Sequence, residues 1–578
     1  MIHPSNTVYK NKETVCALAI FTVTANLFIA YFIRQEHFLY YWDHINFWSK
    51  SYYLCHHFIG DTFAALKTLI YSIREDDYNY LPAFILMPFG LLFGTSRLAY
   101  ILSIVNMIAL PVAVSFVMLH KKFCQAYGLS SAALPFISAS IALLLPNFWN
   151  PILYGMPDIG GMFLINIILL LYISRPFSEQ SLLRLVIIAI LISTIILFRR
   201  WYAYWGVSFY IALSIVECGA LLVNRPFETK NVLKILSKIF MQGFISAVFL
   251  FTVAPTFVRR IIRTNYADLY SVYRENNTLL KAFQELVSNF GLFYFFLFVL
   301  GAIVSVMNKK TRRFSILLLI QAPILFVLFA KTQDFHPHHL YLLMPTMLLF
   351  PSLFITRLLL RARRFTLILA CGLVFIFMLS IFSAFSPEGV WNAGVYQKVL
   401  THVRHVPLVR SDIDDIKEVD RMLSVLEELV TSPDDRIYVL ASSPILNCSI
   451  LDSAYLTLNR HQNVAKKILW TNDVDKRDGF PREFLTAQYV VVADPIQYHL
   501  IPKDQRVVGI PAELVLKETG IGSAFSKLPY EFNLDGNVKA YIYKKIKPFS
   551  DSDLEMFSEL LKKDYPDRPN IYEMKKGS

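Results

Sequence analysis

Two carboxylates stand beside apolar segments of this chain, where an ionisable side chain is costly unless it faces a cavity or a partner. Asp43 lies in YYWDHINFW after a first apolar segment, and Asp158 lies in YGMPDIGG before a later one. A carboxylate that is partly removed from water gains proton affinity and can act as a general base. Asp43 as an exposed loop acid and Asp158 as a helix cap are the alternatives. If both lie at one membrane face, they predict a reaction centre with Asp43 and Asp158 as its catalytic residues.

Adjacent arginines occur in two segments that follow apolar stretches. Arg199 and Arg200 lie in LFRRWYAYW, and Arg259, Arg260 and Arg263 lie in VRRIIRTNYADLY. Arginine binds phosphate through paired hydrogen bonds, so both groups are candidate sites for a lipid phosphate or an acceptor. The alternative is that these long side chains only reach out to lipid headgroups.

A histidine-rich segment, KTQDFHPHHLYLLMP, supplies a cation and several proton donors near another apolar stretch. Its candidate binding residues are Lys331, His336, His338, His339 and Tyr341. The histidines lack the i,i+4 spacing of a zincin helix, and no HExxH occurs, so we expect hydrogen bonds to a sugar or phosphate and assign no metal ligand. A divalent cation is left open.

The elements that must position these residues are membrane spans. The chain has 578 residues, 55% of them hydrophobic and 17% charged, which indicates an integral membrane protein. The apolar runs predict about eleven spans, near residues 14–33, 97–119, 129–149, 158–174, 183–199, 202–222, 239–256, 288–307, 314–331, 341–360 and 365–385. The fold class expected is therefore a polytopic α-helical membrane protein.

Basic clusters orient these spans. They comprise His120, Lys121, Lys122, Arg175, Arg184, Arg225, Lys230, Lys234, Lys309, Lys310, Arg312, Arg313, Arg361, Arg363 and Arg364. With a cytoplasmic N-terminus every one of them falls on the cytoplasmic side, as the positive-inside rule requires, and the two candidate acids fall outside. The net charge of +13 is thus explained by topology and anionic lipid, and nucleic-acid binding is not expected.

The stretch 78–95 is apolar but is interrupted by Pro82 and Pro88. Counting it as a span would reverse the later loops and move most basic clusters outside. We therefore expect an interfacial or re-entrant helix within a first external loop, residues 34–96, of a membrane domain that comprises residues 1–385.

Residues 386–578 have the composition of a soluble α/β domain, which an odd number of spans places outside. A helix is predicted over 411–430, behind a cap at Ser411. Strands are predicted at RIYVLAS, YVVVADP, VVGIP and AYIYKK, and further helices at PAELVLKET and DLEMFSELLKKDY. No glycine-rich phosphate loop follows a strand, so the domain is expected to be a lid or a docking module.

The order of these landmarks resembles a known superfamily. The landmarks are WDHINFW after the first span, YNYLPAFILMPFGLLFGTSRLAYILS before the second, MPDIGG opening the fourth, FRRWYAYW between the fifth and sixth, and HHLYLLMP opening a late span. Over roughly residues 10–360 this order is similar to the GT-C glycosyltransferases that use polyprenyl-phosphate sugars. The branch concerned contains protein O-mannosyltransferases, lipid A aminoarabinose transferases and Rgt-like bacterial envelope enzymes.

The resemblance implies an inverting transfer of a hexose or pentose from a polyprenyl-phosphate carrier to a cell-envelope glycan, lipid or protein, on the external face of a bacterial inner membrane. Asp43 would be the general base, and basic groups would stabilise the departing phosphate. A second acid often follows the first-loop acid in the family, whereas His44 stands here; the same loop offers Glu75, Asp76 and Asp77 as candidate substitutes. A lipid or glycan transporter and a non-catalytic assembly subunit remain the alternative functions.

Overall fold

The computed structural model describes residues 12–223, 229–274, 278–386, 399–403, 405–410, 413–458, 460, 462–563, 565, 570 and 572–573. Arg225 and the expected cap Ser411 lie outside these residues. Contacts divide the chain into two compact units. We call them the membrane unit (Met1–Arg34, Lys50–Ala267 and Arg274–Pro407) and the C-terminal unit (Gln35–Ser49, Asp268–Tyr273 and Leu408–Ser578). The C-terminal unit therefore begins later than residue 386 and includes two short segments from earlier loops.

The membrane unit is helical, as the apolar runs predict. Eight helices in the described residues are long and apolar enough to cross a membrane: Lys12–Ile33, Arg97–Tyr127, Pro157–Ser174, Arg200–Leu221, Thr229–Val253, Arg312–Ala330, Met344–Arg361 and Thr366–Phe385. Two bent helix pairs, Leu134–Leu144 with Pro146–Leu153 and Leu279–Phe290 with Leu292–Met307, raise this number to ten. The remaining predicted span, 183–199, forms the apolar helix Leu182–Phe198 of 17 residues.

The bends occur where the backbone cannot continue a helix. The second pair bends by 97° at Gly291, whose φ of +82° is a backbone conformation that glycine adopts readily and other residues rarely do. The first pair bends by 51° at Leu145, directly before Pro146. These interruptions divide two predicted spans into shorter helices.

The predicted interfacial helix is present as Leu81–Phe93, with Pro82 in its first turn and Pro88 inside it. It follows the helices Asp43–Gly60 and Thr62–Glu75 of the first loop. A further short helix, Pro255–Arg263, buries Phe257 and Val258 and exposes its arginines. Such amphipathic helices suit the edge of a membrane domain.

The C-terminal unit contains a four-stranded sheet with the order β1 (Ile437–Leu440), β2 (Tyr489–Asp494), β4 (Val538–Lys545) and β3 (Phe525–Leu534). β1 and β2 are parallel, and the other two pairings are antiparallel. Alternate residues of β1 enter different cores, since Ile437 and Val439 pack on one face while Tyr438 and Leu440 pack on the other. Helices cover both faces, which gives a three-layer α/β arrangement.

Most predicted elements of this unit are present. The helices Ile413–Leu429 and Asp551–Lys562 and the strands β1, β2 and β4 lie where the pattern placed them. The strand predicted at VVGIP is wrong, because these residues belong to the helix Arg506–Leu516. The carboxylate of Asp475 accepts hydrogen bonds from the backbone N–H groups of Arg506 and Val507, at 3.0 and 2.8 Å. A distant side chain thus caps this helix, which local sequence does not reveal.

Candidate active site

Asp158 and Arg199 form an ion pair inside the membrane unit. The distance from Arg199 Nε to Asp158 Oδ1 is 2.7 Å, and the two side chains are 6% and 0% exposed. Asp158 lies in the 3-10 turn Pro157–Ile159, just before the helix Gly160–Ser174. Arg199 follows the helix Leu182–Phe198 in an extended conformation. Two of the sequence-predicted landmarks are therefore in direct contact, and the charges of Asp158 and Arg199 neutralise each other.

Tyr202 connects the same two segments. Its hydroxyl donates a hydrogen bond of 2.8 Å to the backbone carbonyl of Asp158. Its ring lies over Gly161, where a Cβ atom would come within 2.2 Å of the ring. Only glycine allows this approach without displacing the ring. Gly161 therefore allows Tyr202 to pack against the segment that follows Asp158.

Arg200 pairs with a different carboxylate, Asp77 of the first loop. Arg200 Nη1 lies 2.5 Å from Asp77 Oδ2, which also accepts a 3.0 Å hydrogen bond from the Tyr266 hydroxyl. The guanidinium of Arg200 lies 4.1 Å from the centre of the Tyr266 ring, and Arg260 Nη1 lies 3.5 Å from Asp77 Oδ1. Two guanidinium groups and one carboxylate leave one net positive charge. Burial, together with Asp77, raises the pKa of Tyr266 to about 12.

The histidine-rich segment lies against the aromatic residue that follows the arginine pair. Its residues 337–342 form a 3-10 helix. The Trp201 ring centre is 5.3 Å from that of His339 and 6.2 Å from that of His338. His339 is buried, and its ring also contacts the side-chain amide of Gln333 at 3.3 Å. Burial, the adjacent histidines and Arg199 hold the pKa of His339 well below its usual value, so the ring is neutral at pH 7.

The other predicted binding residues are placed differently. Tyr341 is fully buried, and its hydroxyl donates to the backbone carbonyl of Phe148 at 2.9 Å. Lys331 and His336 are exposed, and so is Arg259 on the helix Pro255–Arg263. The structure thus joins Asp158, the arginine pair and the buried end of the histidine segment, and leaves three cationic or titratable groups on the surface.

Asp43 belongs to the C-terminal unit. It is the first residue of the helix Asp43–Gly60 and is partly buried. The residue before it, Trp42, has φ +45°, a left-handed conformation that is rare for a bulky side chain. Asp43 and Asp158 therefore lie in separate compact units.

Sequence analysis missed several members of these clusters. They include Tyr202, Tyr266 and Tyr78, whose ring centre lies 4.6 Å from the Arg199 guanidinium. These residues have no local signal, because tyrosine is common near membrane surfaces. Asp77 was named only as a substitute acid, yet it meets Arg200 across 123 residues of sequence. Within the described residues, no group of three or more His, Cys, Asp or Glu side chains could hold a metal ion.

The chain matches no protein-family model and no curated protein sequence. The fold comparison finds similarity to ArnT from Cupriavidus metallidurans in the apo state, with 13% identity and a TM-score of 0.43 over 91% of this chain and 97% of that one. The same enzyme bound to undecaprenyl phosphate gives 12% identity and 0.42, with the same coverage. The archaeal oligosaccharyltransferase AglB from Archaeoglobus fulgidus, in complex with an inhibitory peptide and a dolichol-phosphate, gives 11% identity and 0.42 over 92% of this chain and 74% of that one.

Proposed function

We propose that this protein is a membrane glycosyltransferase that moves one sugar from a polyprenyl-phosphate carrier to a cell-envelope acceptor on the non-cytoplasmic face. Asp43 is the general base that removes the proton from the acceptor hydroxyl as it attacks the anomeric carbon. The bond from that carbon to the carrier phosphate breaks, and the configuration inverts. The lipid phosphate leaves with the bonding electrons.

The observation that carries this proposal is the convergence of three landmarks that are distant in sequence. Asp158 contacts Arg199 directly, and Trp201 and Tyr202 connect this pair to His339 and to the Asp158 backbone. Ionisable groups that are kept at the ends of membrane spans and paired with one another mark functional sites by default. The motif order that resembles the GT-C glycosyltransferases is built from these same segments.

The charge distribution suits a phosphate leaving group. Asp158 neutralises Arg199 and orients it through Nε, so that pair adds little net charge. The cluster of Arg200, Arg260 and Asp77 keeps one positive charge, and the Arg260 side chain is 43% exposed. A cation at this place can stabilise the charge that develops on the departing phosphate, and a single such contact lowers a barrier by roughly 3–4 kcal/mol. We therefore assign the phosphate to Arg200 and Arg260 and a positioning role to the pair Arg199–Asp158.

The test is transfer by the purified full-length protein in liposomes. Undecaprenyl phosphate carrying mannose, glucose, galactose or aminoarabinose would be supplied with a total envelope extract as acceptor, and release of undecaprenyl phosphate would be measured. One of these donors should turn over, and Asp43→Asn should lower turnover by about 10²–10⁴-fold. Asp61→Asn is the matched control, since Asp61 is an exposed acid of the same loop, Asn can still cap the helix Thr62–Glu75, and full activity should remain.

Two outcomes would overturn the proposal. Movement of an intact lipid-linked sugar across the bilayer without release of lipid phosphate would indicate a transporter. Binding of the lipid phosphate without turnover of any donor, and without any effect of Asp43→Asn, would indicate a non-catalytic assembly subunit.

A further inference from the structure

The segment that carries Asp43 is built into the C-terminal unit. The backbone of His37 exchanges hydrogen bonds with residues more than 370 positions later, donating to Leu408 O at 2.9 Å and accepting from Arg410 N at 3.0 Å. Leu39 is 1% exposed and lies in the same core cluster as Ile450. The first external loop therefore contributes both backbone and side-chain contacts to the domain at the other end of the chain.

Two serine hydroxyls hold the backbone of this segment on either side of Tyr41. Ser449 Oγ accepts a 3.0 Å hydrogen bond from the N–H of Trp42, and Ser453 Oγ donates a 3.3 Å hydrogen bond to the carbonyl of Tyr40. Both serines are buried on the helix Cys448–Leu458, and their spacing of four residues puts them on one face of it. The segment is therefore held at its main chain and does not depend on side-chain packing alone.

Trp42 is the residue that most needs such support. Its φ of +45° disfavours a bulky side chain, and such a conformation persists only when its surroundings impose it. The carbonyl of Trp42 accepts hydrogen bonds from Ile45 N at 3.2 Å and Asn46 N at 2.9 Å, which start the helix whose first residue is Asp43. The backbone conformation of Trp42 therefore sets the direction in which the Asp43 side chain projects from the start of this helix.

His499 fixes the side chain of Trp42. The ring centres are 4.6 Å apart. The imidazole is itself held, because Nδ1 lies 2.8 Å from Ser442 Oγ and 2.9 Å from Gln505 Nε2. Burial lowers the pKa of His499 to about 4, so the ring is neutral at pH 7 and Nδ1 can accept a hydrogen bond from the Gln505 side-chain amide.

We propose that the C-terminal unit is a positioning element of the active site, in which Ser449 and His499 hold Trp42 in its left-handed conformation and thereby orient the Asp43 carboxylate. This inference rests on the proposed function for the role of Asp43. Ser449 and His499 contact no reacting atom in it; they act through Trp42. It gives the C-terminal domain a part in catalysis where the sequence suggested only a lid or a docking module.

The first measurement is hydrogen–deuterium exchange of the full-length protein and does not require activity. Ser449→Ala removes the acceptor of the Trp42 amide, so peptides that contain Trp42 should exchange at least tenfold faster than in the wild type. Thr457→Ala is the matched control on the same helix, because the Thr457 hydroxyl donates to Ala454 of that helix. Unchanged exchange in Ser449→Ala would overturn the inference, whether or not the protein is a glycosyltransferase.

The second measurement is the kinetics of sugar transfer. Ser449→Ala and His499→Ala should lower kcat by about tenfold to a hundredfold, since displacing a catalytic group by about 1 Å costs this much, while KM for the lipid donor stays within twofold. Ser449→Thr keeps the hydroxyl and should recover most of kcat. If Asp43→Asn abolishes transfer but Ser449→Ala and His499→Ala keep the wild-type kcat, the positioning role is refuted and the proposed function stands. If Asp43→Asn itself has no effect, the proposed function fails first.

Discussion

Removing one partner of the pair Arg199–Asp158 should destabilise the membrane unit strongly. Arg199→Met leaves the Asp158 carboxylate at 0% exposure without its cation at 2.7 Å. Breaking a buried ion pair in this way costs about 3–5 kcal/mol. Large proteins shift by about 2 °C per kcal/mol or less, so the melting temperature in detergent should fall by about 6–10 °C at most. Asp158→Leu should cause a similar loss, because it removes the carboxylate that neutralises the buried Arg199 guanidinium.

The double variant Arg199→Met/Asp158→Leu separates charge from packing. Replacing a buried pair by apolar residues of similar size is often neutral, so the double variant should recover most of the lost stability. Lys309→Met is the control within the membrane unit, since Lys309 is exposed and should change stability by no more than about 0.5 kcal/mol. Fluorescence-detected size-exclusion chromatography after heating would measure all four variants. A melting temperature of Arg199→Met within 2 °C of the wild type would refute the buried pair, and a double variant no more stable than the single ones would show that packing causes the loss. A stable but inactive double variant would support the positioning role of the pair.

Three further measurements follow from the described contacts. Gly301→Ala should destabilise the membrane unit by about 1–3 kcal/mol, because a Cβ there would lie 2.0 Å from a backbone oxygen of the facing helix. Gly243→Ala is the control: its Cβ would meet no atom within 4 Å, so this variant should be neutral or slightly stabilising in the same melting assay. Glu217→Ala should lower the melting temperature by several degrees, since Glu217 is fully buried and Arg313 Nε donates to it at 2.9 Å; equal melting of variant and wild type would contradict this pair. The pKa of His499 is lowered to about 4 in the folded protein, whereas the unfolded chain binds this proton at higher pH. The free energy of unfolding should therefore fall by about 1–2 kcal/mol between pH 7 and pH 5, and His499→Gln should remove this part of the pH dependence. An identical pH dependence in both proteins would count against this effect.

The fold of the membrane unit could be predicted from sequence because a span needs about 20 apolar residues and leaves a long, unmistakable signal. Leu182–Phe198 and the two bent pairs show where this signal is weaker, since a single Gly291 or Pro146 divides a span without changing its composition. The strand predicted at VVGIP failed for a different reason. A short apolar run suits either a strand or a buried helix, and here the distant Asp475 decides between them.

The candidate site could be predicted only as a set of segments. The order of these segments along the chain pointed to Asp158 and the arginine pair, but the residue type alone suggested that both arginines bind phosphate. The structure pairs Arg199 with Asp158 and Arg200 with Asp77, and these choices depend on how helices pack, which no local pattern encodes. The same limit explains why the partners of Trp42 could not be found, since they lie more than 400 residues away.

The attachment of the first loop to the last domain has a consequence for biosynthesis. Trp42 is synthesised early, but its partner Ser449 is made 407 residues later. At about 5–20 residues per second, the chain needs roughly 20–80 s to supply that contact. Until then the backbone N–H of Trp42 lacks its Ser449 acceptor, so in a chain that is released or cut before this point the segment that carries Asp43 is not held by the helix Cys448–Leu458. If Asp43 is the base that we propose, catalytic competence is acquired only after Ser449 has been synthesised, and shorter chains do not consume the lipid-linked sugar donor.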